Sequence, residues 1–121
     1  MEVSVNPEAP RYVVVMTTCA SQEQASQIAA ALVEKKLAAC VQASDIVSTY
    51  RWKGVLESSS EIRLMIKARL ADYPAIEALI AAMHSYEVPE VIAIPVVAGS
   101  RDYLDWIDSE TTTRLPVRAD S

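Results

Sequence analysis

Apolar and polar positions alternate along this chain with two different periods. From Arg11 to Thr18 the run Tyr12-Val13-Val14-Val15-Met16 is apolar and largely β-branched, bounded by Pro10, which predicts a strand buried on both faces. Ser21 then offers an N-cap with Gln24 three residues on. Ala25, Ile28, Ala29, Leu32 and Val33 follow at helical spacing, so a helix is expected from about Gln22 to Lys36, with Lys35 and Lys36 in its last turn facing the negative end of the dipole. Between Leu37 and Trp52 the period shifts again, and Val41, Ile46, Val47, Thr49 and Tyr50 favour a strand that turns at Lys53-Gly54. On the return limb Ile62, Leu64 and Ile66 alternate with Glu61, Arg63, Met65 and Lys67, giving one apolar face and one polar or otherwise reserved face. Asp72 is placed to cap a second helix with the stripe Ile76, Leu79, Ile80 and Met83. Pro89 ends any helix. Val91–Val97 reads as a final two-sided apolar strand in which Pro95 points to an edge or a bulge. Gly99-Ser100 lead into a short helix carrying Tyr103, Leu104, Trp106 and Ile107.

The order β-α-β-β-α-β plus a terminal helix, joined by right-handed crossovers, gives an α+β fold of the ferredoxin-like, split βαβ kind with both main helices on one sheet face. Residues 1–10 read as a flexible N-terminal arm, 11–109 as the folded domain and 110–121 as a frayed tail. Each hairpin limb of about 13 residues would reach roughly 43 Å at about 3.3 Å per residue. A chain of this length has a radius of gyration of roughly 14 Å, or a diameter of about 35 Å. The hairpin therefore overhangs its own domain. The overhang is expected to dock on a neighbouring copy, and a closed ring leaves no strand edge unsatisfied. A bulge or bend near Ser44 and Asp45 would instead shorten the reach within a monomer.

Composition narrows the partners. With 51% hydrophobic residues in 121, the chain can bury a core as one domain. Its net charge of -5 repels phosphate backbones and anionic headgroups, so neither nucleic acid nor a membrane surface is an expected partner. Cys19 and Cys40 are the only cysteines, and their spacing matches neither a zinc ribbon nor a CxxC pair; two thiols suit a reducing cytoplasm. Met1–Pro10 lacks the basic and apolar regions of a secretory signal, and no apolar run approaches the roughly 18 to 20 residues of a membrane span.

Several segments in sequence order carry a resemblance. These are LAACVQ at Leu37–Gln42, YRWKG at Tyr50–Gly54, Glu61 with the later Ile66-Lys67, HSYEVPE at His84–Glu90, GSRDYLDWI at Gly99–Ile107, and TTCASQEQA at the first strand-to-helix turn. Together, over about residues 11–109, they resemble the CutA divalent-cation tolerance family. The resemblance implies a ferredoxin-like subunit assembled through its long hairpins into a homotrimer, linked to copper and other divalent cations, with a fold similar to the PII signalling proteins. Two positions depart from the family pattern: Ala20 and Ser85 stand where members usually have Pro, which loosens the turns flanking the site.

His84 is the only histidine, so imidazole ligation of a metal must use it; the other reading is a helix C-terminal dipole partner or structural residue. Cys19 is a second candidate metal ligand, as a thiolate favoured by the helix N-terminus, or else a half-buried turn residue. Cys40 is expected in the core. Copper prefers thiolate, thioether or imidazole donors, and His84, Cys19 and Met83 make an incomplete set in one subunit, so a metal site would be shared between subunits. A ligand-binding constellation is expected from Trp52, Glu61, Lys67, Tyr86, Glu90 and Trp106, joined by Glu87 and Tyr103. Glu61 and Lys67 share one strand face, and the aromatics could wall an intersubunit cleft or simply anchor an interface. No catalytic signature is found: there is no HExxH, EF-hand loop, P-loop or GxGxxG, and two glycines leave little for a phosphate-cradling loop. The expected function is therefore a homotrimeric, cytoplasmic, copper- or divalent-cation-binding protein that is not an enzyme and needs no organic cofactor. The alternative is a PII-like sensor holding a small anion or metabolite beside Lys67.

Overall fold

The computed structural model describes residues 10–111. The apolar run near the N-terminus forms β1 (Tyr12–Cys19), of the expected length but shifted one residue towards the C-terminus. Its alternate residues Val13, Val15, Thr17 and Cys19 are buried, whereas Tyr12, Val14 and Met16 on the other face are half-buried, so the strand has one core face rather than two.

Helix α1 (Gln22–Glu34) starts where predicted, with the Ser21 hydroxyl accepting from the Gln24 N–H at 3.1 Å. It ends two residues early. Lys35 is its C-cap and Lys36 turns left-handed (φ 61°), so that the Lys36 N–H reaches the Val33 carbonyl and the Leu37 N–H the Leu32 carbonyl, both at 3.0 Å. This paired closure satisfies carbonyls that the last turn would otherwise leave open, and it moves both lysines out of the helix.

Strands β2 (Cys40–Trp52) and β3 (Val55–Arg69) form the expected hairpin. Lys53 (φ 53°) and Gly54 (φ 83°) both take positive φ, the geometry of a tight two-residue turn whose twist matches its strands. Pairing runs without interruption from Cys40↔Lys67 to Trp52↔Val55, and Ser44↔Arg63 and Asp45↔Ile62 stay in register, so no bulge shortens the limbs. Towards the tip, Val47 is 70% exposed and Leu56 69%, whereas Leu64 and Ile66 nearer the base are buried. The far half of the hairpin projects from the domain.

Helix α2 (Tyr73–Met83) follows a single 3-10 turn at Leu70–Asp72. Asp72 occupies the expected N-cap position but does not cap. Its carboxylate is held at 3.0 Å by both Nε and Nη2 of Arg69, and Pro74, lacking an N–H, sits in the first turn where that donor is not needed. The last strand, β4 (Ile92–Pro95), is shorter than Val91–Val97 and pairs on one side only, with Val13–Met16 of β1. An edge strand has one neighbour, which leaves Ile92 and Ile94 nearly half exposed rather than buried, and it is where a proline is tolerated.

The sheet order is β2-β3-β1-β4, with antiparallel pairs throughout, and this is the ferredoxin-like arrangement. Val13 and Val15 of β1, Leu64, Ile66 and Ala68 of β3, Ile28 and Leu32 of α1, and Ile76 and Ile80 of α2 make one core, so both helices cover one face. Helix α3 (Arg101–Thr111) lies against the other face. Tyr12 donates to Asp108 at 2.6 Å and Arg69 to the Thr111 carbonyl at 3.0 Å. The helix runs past residue 109, with Thr111 buried, so Glu110 and Thr111 belong to the domain rather than to a tail. The expected arm up to Ala9 and the tail from residue 112 lie outside the described residues.

Candidate functional site

His84 closes α2, its N–H bonded to the Ile80 carbonyl at 2.8 Å. Its ring is fixed on both sides. The Tyr86 backbone N–H can only donate, so Nδ1 accepts at 3.1 Å, and Nε2 must then carry the proton that it donates to the Thr18 carbonyl at 2.6 Å. This neutral tautomer ties the end of α2 to the end of β1 and sets the Tyr86 ring 4.7 Å from the imidazole. Tyr86 in turn donates its phenolic O–H to Oε2 of Glu61 at 2.6 Å. Glu61 is only 8% exposed although it is ionisable. Burial, and then the hydrogen bond to Glu61, push the Tyr86 hydroxyl well above the usual phenol range.

Cys19 is the last residue of β1 and fully buried, not a half-exposed turn residue. Burial, and behind it the charge of Glu61, raise its thiol, which favours S–H over the thiolate expected from the helix N-terminus. Cys40 opens β2 opposite Lys67 and is half-buried rather than part of the core. At neither Ala20 nor Ser85 is the turn left untied. Ser21 caps α1, and the Ser85 hydroxyl reaches Oε1 of Gln24 at 3.4 Å while Nε2 of Gln24 donates to the Met83 carbonyl at 3.3 Å.

An open cleft of about 650 Å³ lies between the hairpin and the segment 85–90. Tyr50 and Trp52 wall it from β2, Glu61 and Tyr86 line it, and Glu87 and Glu90 contribute carboxylates from the far side. The expected constellation is divided by this geometry. Trp52, Glu61, Tyr86 and Glu90 meet in the cleft, but Lys67 and Trp106 do not line it: the Lys67 ammonium is 5.9 Å from the Tyr103 ring, which packs 5.6 Å from Trp106. Glu61 and Lys67 do share a face, yet six residues of strand separate them by about 20 Å. Ser48 and Tyr50 were not among the expected ligand-binding residues. Strand alternation carries the signal for both, since Ser48, Tyr50 and Trp52 fall two apart on one face. Among the described residues, no group of three or more His, Cys, Asp and Glu is gathered so as to hold a metal ion. His84 could offer Nδ1 only by giving up the Tyr86 N–H, so one chain does not present a finished metal site.

Residues 13–110 match the CutA1 divalent ion tolerance family. The chain belongs to that family. Its sequence is 41% identical to the divalent-cation tolerance protein CutA of Thermus thermophilus over 99 residues, covering 81% of this chain and 96% of that protein. It is 45% identical over 95 residues to mouse protein CutA, where the match takes in 78% of this chain and 54% of the mouse protein, so it spans about half of that relative. Among solved structures, CutA1 of the psychrotrophic bacterium Shewanella sp. SIB1 superposes with a TM-score of 0.84 at 44% identity, covering 88% of this chain and all of that one. The likeness to CutA1 thus extends from the motifs to the path of the backbone.

Proposed function

We propose that the protein acts in divalent-cation tolerance as a cytoplasmic homotrimer that takes copper as cargo at the boundary between subunits. One observation carries this reading: the site is only part-built in a single chain. Tyr50 and Trp52 lie on the stretch of hairpin that leaves its own domain, where Val47, Val55 and Leu56 expose apolar surface suited to a second copy. The exposed Ile92 and Ile94 on the edge strand β4 offer a complementary surface and unpaired backbone groups. Family membership supplies the divalent cation. Copper matches an imidazole donor whose set is completed across an interface, with His84 supplying the imidazole once Nδ1 is released from the Tyr86 N–H, while Cys19, fully buried with its proton held, is left out of the set. Two unbridged cysteines suit a reducing compartment.

Native mass spectrometry of the apo protein, titrated with Cu(II) beside His84→Ala, tests this. The expected outcome is a trimer that takes up a fixed number of coppers, with uptake reduced in the variant while the trimer persists. A monomer at micromolar concentration, or graded uptake indifferent to His84, would overturn the proposal.

A further inference from the structure

Residues 85–90 run between the end of α2 at Met83 and the start of β4 at Ile92, and among the described residues none of their backbone groups is hydrogen-bonded to another backbone group. Every hydrogen bond that holds the segment runs through a side chain. The Ser85 hydroxyl reaches Oε1 of Gln24 at 3.4 Å, a long contact in an exposed place. The other two ties both fall on Tyr86, whose N–H donates to Nδ1 of His84 at 3.1 Å and whose O–H donates to Oε2 of Glu61 at 2.6 Å. A segment tied at so few points opens locally at a much lower free energy than the sheet beneath it. The lone pair that receives the Tyr86 N–H is also the one that a metal needs, because the bond to the Thr18 carbonyl at 2.6 Å keeps the proton on Nε2. One lone pair serves one partner. A metal ion about 2 Å from Nδ1 would fill the space in which that N–H lies, so the Tyr86 backbone must turn away and draw its side chain off Glu61.

We infer that His84 is a latch for this segment: with Nδ1 free of metal it holds residues 85–90 closed through Tyr86, and metal ligation at Nδ1 opens the segment and releases the Glu61 carboxylate from Tyr86. The inference rests on the copper reading for the metal that opens the latch, and on the hydrogen bonds of one chain for the latch itself. Its four residues, Thr18, Glu61, His84 and Tyr86, are separate from the hairpin stretch around Val47, Val55 and Leu56 that is given to a second copy, so latch and assembly use different groups. Coupling of this kind is reciprocal. Metal weakens the closed segment, and a change that weakens the closed segment tightens metal binding by the same factor.

Hydrogen–deuterium exchange of the full chain, read by mass spectrometry and resolved to the Tyr86 amide, tests this with and without Cu(II), beside His84→Ala and Tyr86→Phe. In the wild type, copper is expected to speed exchange at that amide at least about tenfold while leaving the helices unchanged. Metal-free His84→Ala should already exchange at the fast rate and respond no further to copper, and Tyr86→Phe should bind copper about tenfold more tightly than the wild type. Copper bound through His84 with exchange at Tyr86 unmoved, slow exchange in metal-free His84→Ala, or unchanged copper affinity in Tyr86→Phe would overturn the latch. Copper uptake indifferent to His84 would overturn the copper reading instead, and the metal-free comparison of wild type with His84→Ala then still decides whether the ring holds the segment.

Discussion

Lys36 sits in the left-handed region that a side chain with a β-carbon adopts at a cost, because the two hydrogen bonds that close α1 require the turn there. Lys36→Gly should therefore stabilise the protein by up to about 1 kcal/mol, measured as a higher midpoint in urea. Tyr86 presents the opposite case, a polar contact made in a half-buried place. Tyr86→Phe leaves Glu61 without its donor and should cost about 1 to 3 kcal/mol in chemical denaturation. The same bond sets an alkaline limit. The Tyr12, Tyr73 and Tyr86 hydroxyls all hold their protons more tightly when folded, Tyr12 chiefly through its hydrogen bond to Asp108 and the other two chiefly through burial. Above about pH 10 the unfolded chain gives up phenolic protons that the folded chain keeps. Stability, intact below that pH, should fall as pH rises further, and Tyr86→Phe should flatten the fall in unfolding curves recorded from pH 9 upward.

Arg69 joins three elements at the scale of packing: it ends β3, holds Asp72 at the start of α2 and donates to the last described carbonyl of α3. Arg69→Ala would leave the largely buried Asp72 carboxylate unpaired, and a loss of about 3 kcal/mol is expected in thermal or urea unfolding. That network also shows where sequence reading stops. The stripes Ala25-Ile28-Leu32 and Ile76-Ile80 were legible because each face repeats at the helical period, and the hairpin because Ile62, Leu64 and Ile66 alternate before one glycine-bearing turn. Asp72 as a cap was not, since local spacing marks an available carboxylate but cannot reveal a guanidinium competing for it. The site was half legible for a related reason. Trp52, Glu61, Tyr86 and Glu90 line one cleft, but Lys67 was joined to Glu61 by strand parity, which fixes the face and leaves the distance along it open, and Trp106 was joined to them by the motif resemblance, which carries no distance at all. His84 was recognised as an only histidine, whereas its two hydrogen bonds depend on where β1 ends.

The projecting hairpin governs the behaviour of the whole molecule. Val47 and Leu56 touch little of their own subunit, so under the proposed trimeric assembly Val47→Glu/Leu56→Glu should leave subunit secondary structure unchanged by circular dichroism while shifting the sedimenting species from that trimer to monomer. Unchanged sedimentation would mean that these side chains lie outside the assembly contact. Strand order has a further consequence during synthesis. β1 and β2 emerge first, but in the finished sheet they are never neighbours, because β3 lies between them. A nascent chain that has exposed everything up to Trp52 therefore owns two strands with no native hydrogen bond to share, and α1 has no sheet to cover. Only when β3 has cleared the ribosome through Arg69 can a three-stranded sheet close, so the first half of this protein must wait, unfolded and open to chaperones, for the second.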